Sequence, residues 1–201
     1  MTDLLTEVFS PARSYSLVND MHKMTEKRKE FVIQNFAYRL SLKHPSCAES
    51  IGAGAINPDI VVVHPENHFA SKDPVTGALR KFNLLDVSFR TTSSLVPDRG
   101  YKTNNYFLVE LIELLDPKLV ILCGPEALSA CRGTAVRNYK KYQGNLVDIP
   151  RFGGIKLYCA INPFSYGGSS GSTSMKQAGQ QDWKNIAAIY NSVLSQQNAE
   201  L

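Results

Sequence analysis

Asp-Ile-Val-Val-Val-His-Pro-Glu-Asn-His, residues 59–68, decides how the rest of the chain is read. Four apolar residues in succession, three of them valine, fit a strand buried on both faces, as in the middle of a parallel sheet. Pro65 has no N–H to give to a ladder, so the strand should stop at about His64. His64, Glu66, Asn67 and His68 then stand where the strand's carboxyl end opens into a loop. In open α/β sheets, ligands bind at that edge.

Working outward, residues 82–89 (Phe-Asn-Leu-Leu-Asp-Val-Ser-Phe), 118–123 (Lys-Leu-Val-Ile-Leu-Cys) and 155–161 read as further strands, with a minor one at 146–149. Residues 103–115 read as a helix, because Phe107, Leu108, Leu111, Ile112 and Leu115 recur at helical spacing. Gly124-Pro125 turns into a short helix over 126–131, with Pro125 suited to a first helical turn. A closing helix over 182–196 carries Trp183, Ile186, Ile189, Tyr190 and Val193. Ahead of the first strand lie a short helix at 2–9 and a longer one from Asn19 or Asp20 to about Lys43. In the longer helix Phe31, Gln34, Asn35, Tyr38 and Leu42 share one side, with Val32, Phe36 and Leu40 near it. Asp73-Pro74 and Thr76-Gly77 are turn signals, so 70–81 reads as a loop, and Gly and Ser make another of 165–174. The order predicts a three-layer α/β/α fold with a central, mainly parallel four-stranded sheet. An N-terminal helical segment, 1–57, packs on an α/β domain over 58–201 in one compact unit.

Of the 201 residues 43% are hydrophobic and 20% charged, enough to bury a sizeable core. No run of about 18 apolar residues exists, so no membrane span is expected. The start of the chain holds Asp3 and Glu7 and lacks a basic stretch followed by an apolar run, so a secretory leader is not expected. Cys47, Cys123, Cys131 and Cys159 have no CxxC spacing, which points to reduced, mostly buried thiols in a cytoplasmic protein without a metal cluster. Lys+Arg 22 against Asp+Glu 18 gives a net charge of +4, which permits a polyanionic partner without demanding one. There is no GxGxxG after a strand and no GxxxxGK[ST], so neither a dinucleotide site nor a P-loop is supported, and no cofactor is expected.

Polar groups at the strand ends carry a resemblance. Residues 61–68 run from a hydrophobic strand into an acidic, proline-containing loop. Residues 83–90 end in a polar position and lead to a Pro/Arg loop. Residues 118–127 read Lys-Leu-Val-Ile-Leu-Cys-Gly-Pro-Glu-Ala, residues 160–165 read Ala-Ile-Asn-Pro-Phe-Ser, and Trp183 lies in the closing helix. In this order the chain resembles the uracil-DNA glycosylase superfamily over about 58–194. Those segments match its water-activating motif, its TNxVKxRPP region, its P-x-hydrophobic-G-x-x-A strand and helix, and its HPS or NPS motif. The chain departs from the family pattern in lacking the iron–sulfur cysteines and the Gly lead-in to the first motif. The stretch between Glu66 and Asp86 is short, and Asp86 stands where uracil readers have Asn.

The resemblance implies a monofunctional, monomeric DNA glycosylase that flips a base out of double-stranded DNA and leaves an abasic site. Glu66 would stabilise positive charge on the sugar and orient water, and Asn162 would position water or hold the departing base. His64, Asn67, His68 and Asp86 would contact the base. An ionised Asp86 only accepts hydrogen bonds, which favours a cytosine N4 amino group over uracil O4. That selects a modified cytosine, such as a hydroxymethylcytosine in phage DNA, and with it a defence role. Phe164, Ser165, Tyr166, Gly167 and Ser169 would lie against DNA, with Phe164 or Tyr166 as a wedge. Arg99, Lys102, Arg137, Lys140 and Lys141 would meet phosphates. Three other readings stay open: a uracil-DNA glycosylase in repair, a catalytically inactive DNA-binding module on the same fold, and an N-glycosidase of free nucleosides.

Overall fold

The computed structural model describes residues 26–44, 51–66, 72–95, 106–166 and 171–198. They form a mixed α/β structure with six strands and five α-helices. The strands are β1 (Ala53–Gly54), β2 (Ile60–His64), β3 (Ser88–Thr92), β4 (Leu119–Cys123), β5 (Leu146–Val147) and β6 (Lys156–Ala160). The helices are α1 (Glu26–Lys43), α2 (Pro74–Lys81), α3 (Tyr106–Leu115), α4 (Pro125–Arg132) and α5 (Thr173–Asn198). The expected helix at 2–9 and the start of the long helix at Asn19 or Asp20 lie outside the described residues.

All five residues of β2 are buried, and the reason is its place in the sheet. The strand order is β1-β3-β2-β4-β6-β5, so β2 has a neighbour on each side. Its Val61 and Val63 enter one apolar cluster with Phe36, Leu40, Leu108, Leu111 and Leu128. Its Ile60 and Val62 enter another with Val75, Leu79, Trp183 and Ile186. Helices α1, α3 and α4 therefore cover one face, and α2 and α5 the other. Each such side chain contributes about 2 kcal/mol relative to exposure. Strands β3, β2, β4 and β6 run parallel, while β1 and β5 are short antiparallel edges. The sheet thus has six strands rather than the expected four. The minor strand expected at 146–149 joins the sheet as β5, and β1 is a two-residue piece too short for a periodic signal.

The strand expected at 82–89 is displaced to Ser88–Thr92. Its apolar run lies in a turn in which Asn83 has φ 57°, and the strand begins at Ser88. Ser-Phe-Arg-Thr-Thr lacks an apolar pattern, yet all five residues are buried. Likewise the loop expected at 70–81 contains α2. Asp-Pro reads as a turn, but here Asp73 caps a helix whose first turn takes the proline, and its Oδ1 accepts the Thr76 N–H at 2.7 Å. This helix supplies the crossover between β2 and β3.

Two helices differ in extent or facing from expectation. Phe31, Tyr38 and Leu42 of α1 are exposed, while Phe36 and Leu40 are fully buried. The packed face follows Phe107 of α3, whose ring lies 6.1 Å from that of Phe36, and Arg39 pairs with Glu110. Helix α5 starts at Thr173, where Ser172 Oγ accepts the Met175 N–H at 3.2 Å. It therefore absorbs the end of the expected 165–174 loop.

Candidate active site at the carboxyl edge of the sheet

β2 leaves through α2 on one face of the sheet, and β4 leaves through α4 on the other. Between two adjacent strands that depart to opposite faces a crevice opens at their carboxyl ends. Four strand ends frame it: His64–Glu66, Thr92–Ser94, Cys123–Pro125 and Asn162–Tyr166.

His64 is fully buried, and its ring centroid lies 5.5 Å from that of Phe164. This pair spans from β2 to β6 beneath the crevice. The next residues are held by β3: Ser93 N–H donates to His64 O at 2.9 Å, and the Thr92 and Ser94 hydroxyls each lie 3.4 Å from Pro65 O. Glu66 follows directly and is half-buried. Farther along the same connection, the Asp73 carboxylate receives Arg90 at 2.6 Å and the Thr76 hydroxyl at 3.0 Å, so both ends of the connection are tied to β3.

Asn162 closes β6 and is half-buried. Its Oδ1 accepts the Phe164 N–H at 3.1 Å, which fixes the amide orientation, since an NH2 there would oppose another donor. The NH2 group is the end of the side chain left to serve as a donor. Gly124 makes room for it. This residue has φ 92°, a region that side chains rarely adopt, and a Cβ would stand 3.3 Å from Asn162 Cβ and 3.2 Å from Glu126 Oε2. Glu126, in the first turn of α4, is therefore a second carboxylate beside Asn162.

Two buried groups set this geometry. The Tyr139 hydroxyl is 2.6 Å from Ala160 O and 3.0 Å from Leu122 O, and accepts the Gly124 N–H at 3.3 Å. Burial pushes its phenol well above the ordinary value, so it remains a donor and staples the ends of β4 and β6. Asp182 accepts the Ile161 N–H at 2.8 Å and the Tyr158 hydroxyl at 3.0 Å, fixing the residue before Asn162. Burial raises its carboxyl above the usual range, and the two donors offset part of that shift.

Asp86 does not belong to this site. Ser88 pairs in parallel register with Ile60, so Asp86 precedes β3 and lies at the amino edge, exposed. Glu66 is beyond the other end, on the order of 20 Å away at roughly 3.3 Å per residue. The residues that end β3 at the crevice are Thr91 and Thr92. The proposed wedge residues also face inward. Phe164 packs against the second apolar cluster, and the Tyr166 hydroxyl accepts from Trp183 Nε1 at 3.0 Å while its ring lies against Gly179. Burial pushes the Tyr166 phenol up to about 12. Ser165 is exposed, with its hydroxyl donating to Asn162 O at 2.7 Å, and Lys140 is exposed. Asn67, His68, Arg99, Lys102, Gly167 and Ser169 lie outside the described residues.

His64, Glu66 and Asn162 thus share the carboxyl edge, together with Glu126, Tyr139 and Asp182, which the sequence alone does not single out. Only Gly124-Pro125 hinted at Glu126; contacts at long sequence separation place Tyr139 and Asp182. Among the described residues no group of three or more His, Cys, Asp or Glu side chains is placed to hold a metal ion. Cys123, Cys131 and Cys159 are buried and unbridged, and burial pushes the last two up to about 12. No described helix is long and apolar enough to cross a membrane. No family model matches the chain, and no curated protein matches it.

Proposed function

We propose that the chain is a monofunctional DNA glycosylase, built as a three-layer α/β/α variant of the uracil-DNA glycosylase type. The observation that supports this reading is that Glu66 and Asn162 follow the carboxyl ends of β2 and β6, on the edge where the His64 and Phe164 rings lie 5.5 Å apart. Breaking a pyrimidine's glycosidic bond leaves positive charge on the sugar and negative charge on the base, delocalised onto O2. A carboxylate at Glu66 stabilises the first and orients a water. The Asn162 NH2 donates to the second. A flipped base would lie over the His64–Phe164 floor.

A preference for modified cytosine rested on Asp86 at the crevice. With Asp86 on the opposite edge that preference and the defence role derived from it are not carried forward. Pyrimidine O2 is common to uracil and cytosine, so Asn162 serves either base.

Alkali cleavage of duplexes containing uracil, cytosine or 5-hydroxymethylcytosine tests the reading. Asn162→Asp keeps an oxygen for the Phe164 N–H and removes the NH2 donor. It should lower base release about 100-fold or more, as loss of one transition-state donor does elsewhere. Full activity in that variant would remove Asn162 from the chemistry. Tight binding without alkali-labile sites at any of the three bases would favour the inactive DNA-binding module.

A further inference from the structure

A basic segment without carboxylates runs from α4 into β5. Residues 127–147 contain Arg132, Arg137, Lys140 and Lys141 and no Asp or Glu. The whole chain holds 22 Lys+Arg against 18 Asp+Glu. Removing these four cations leaves 18 against 18, so this one segment accounts for the entire net charge of +4. All four side chains are exposed, and none joins an ion pair among the described residues.

Two of these cations, Arg132 and Lys141, converge on one ring. Lys141 Nζ lies 4.7 Å, and Arg132 Cζ 5.3 Å, from the centroid of the Tyr142 ring. Arg132 donates to the Tyr142 hydroxyl at 2.9 Å. Two cations gathered on one ring, with no carboxylate nearby in sequence, make a site receptive to anions. The segment is fastened to the crevice, because Tyr139, in the same turn as Lys140 and Lys141, bonds the backbone that ends β4 and β6. Farther along, Gly144 N–H donates to Cys159 O at 2.8 Å.

We propose that this turn is a ledge that docks a nucleic-acid phosphate backbone, with Arg132, Arg137, Lys140 and Lys141 meeting phosphates of the strand that passes the crevice. The choice of DNA as the polyanion rests on the glycosylase reading. An anionic membrane would need an apolar face to insert, and of the exposed large hydrophobic residues among the described ones Leu146 alone falls within 127–147, too little for such a face. Each phosphate contact contributes about 0.9 to the slope of log K against log salt.

The test is binding of the full chain to a short fluorescein-labelled duplex between roughly 50 and 200 mM salt. Lys140→Ala with Lys141→Ala should lower the slope by about two and weaken binding about tenfold at the low-salt end. Lys81→Ala with Lys156→Ala, two exposed lysines at the amino edge, should leave slope and affinity unchanged. Circular dichroism confirms folding of both variants, and Arg137→Ala supplies an independent site whose single loss lowers the slope by about one. An unchanged slope in the ledge variants overturns the proposal, as does binding to phosphatidylserine vesicles without binding to the duplex. A slope that falls while no base is released leaves the ledge standing and removes the glycosylase reading. Base release with an unchanged slope does the reverse.

Discussion

β2 and β3 lie side by side, five residues each and fully buried, yet they are held in by different forces. Ile60, Val61, Val62 and Val63 enter two apolar clusters and are held by the removal of hydrocarbon from water. Ser-Phe-Arg-Thr-Thr must instead satisfy a guanidinium and several hydroxyls away from solvent. It does so through Asp73 for Arg90, Ile51 O for Thr91 at 2.8 Å, and Leu85 O for Ser88 at 2.9 Å. A strand of the first kind tolerates exchange among apolar residues. One of the second kind depends on partners elsewhere in the chain, and in return it fixes them: Arg90 and the Thr92–Ser94 hydroxyls hold both ends of the connection that carries Glu66.

The contrast breaks most sharply at Asp73. Asp73→Ala removes the helix cap and leaves Arg90 buried without its carboxylate. Urea denaturation should register a loss of about 3–5 kcal/mol. Asp73→Ser with Arg90→Met, which keeps a cap and exchanges the ion pair for apolar bulk, should recover most of it. If the double variant is as unstable as the single, the pair is not what makes β3 costly to disturb. Val62→Ala in β2 should cost about 2 kcal/mol by lost burial and a small cavity. Thr91→Val should cost about 1 kcal/mol, because its shape is retained and one hydrogen bond is lost. Reversal of that order would contradict the assignment of β2 to hydrophobic and β3 to polar stabilisation.

The smallest effect concerns the second buried acid. Asp73 faces a guanidinium, whereas the donors bonded to Asp182 are a tyrosine hydroxyl and a backbone N–H. Burial raises the Asp182 pKa, so the folded chain keeps a proton that the unfolded chain has already lost. Its contribution to stability is full below the unfolded value and declines as pH rises through the raised folded value. The stability of the native chain relative to Asp182→Asn should therefore fall with increasing pH across the carboxylate range. A relative stability that rises with pH would mean that the hydrogen bonds outweigh burial.

The same contrast explains what could be read from the residues alone. β2, β4, β6 and α3 were legible because apolar runs and helical spacing report burial directly. Pro65 and Pro163 marked where two strands stop, and so placed Glu66 and Asn162 at one edge. β3 was not legible, because a polar strand shows no period that distinguishes it from a loop, and its partners are remote in sequence. The apolar run before it drew the strand several residues too early, and Asp86 was carried to the wrong edge with it. Asp73-Pro74 carried two meanings, turn and helix start, and only the buried Arg90 decides between them. Tyr139 and Asp182 act through contacts 17 to 24 residues away, which no local pattern announces.

In the proposed function the crevice breaks an N-glycosidic bond with Glu66 beside the sugar. The most direct measurement is single-turnover formation of alkali-labile sites in duplexes carrying uracil, cytosine or 5-hydroxymethylcytosine, for the native chain and Glu66→Gln, with duplex binding measured in parallel. The expected result is cleavage at one or more of these bases by the native chain, a loss of about 100-fold or more in Glu66→Gln, and similar binding by both. Equal rates of base release by the two proteins would contradict it.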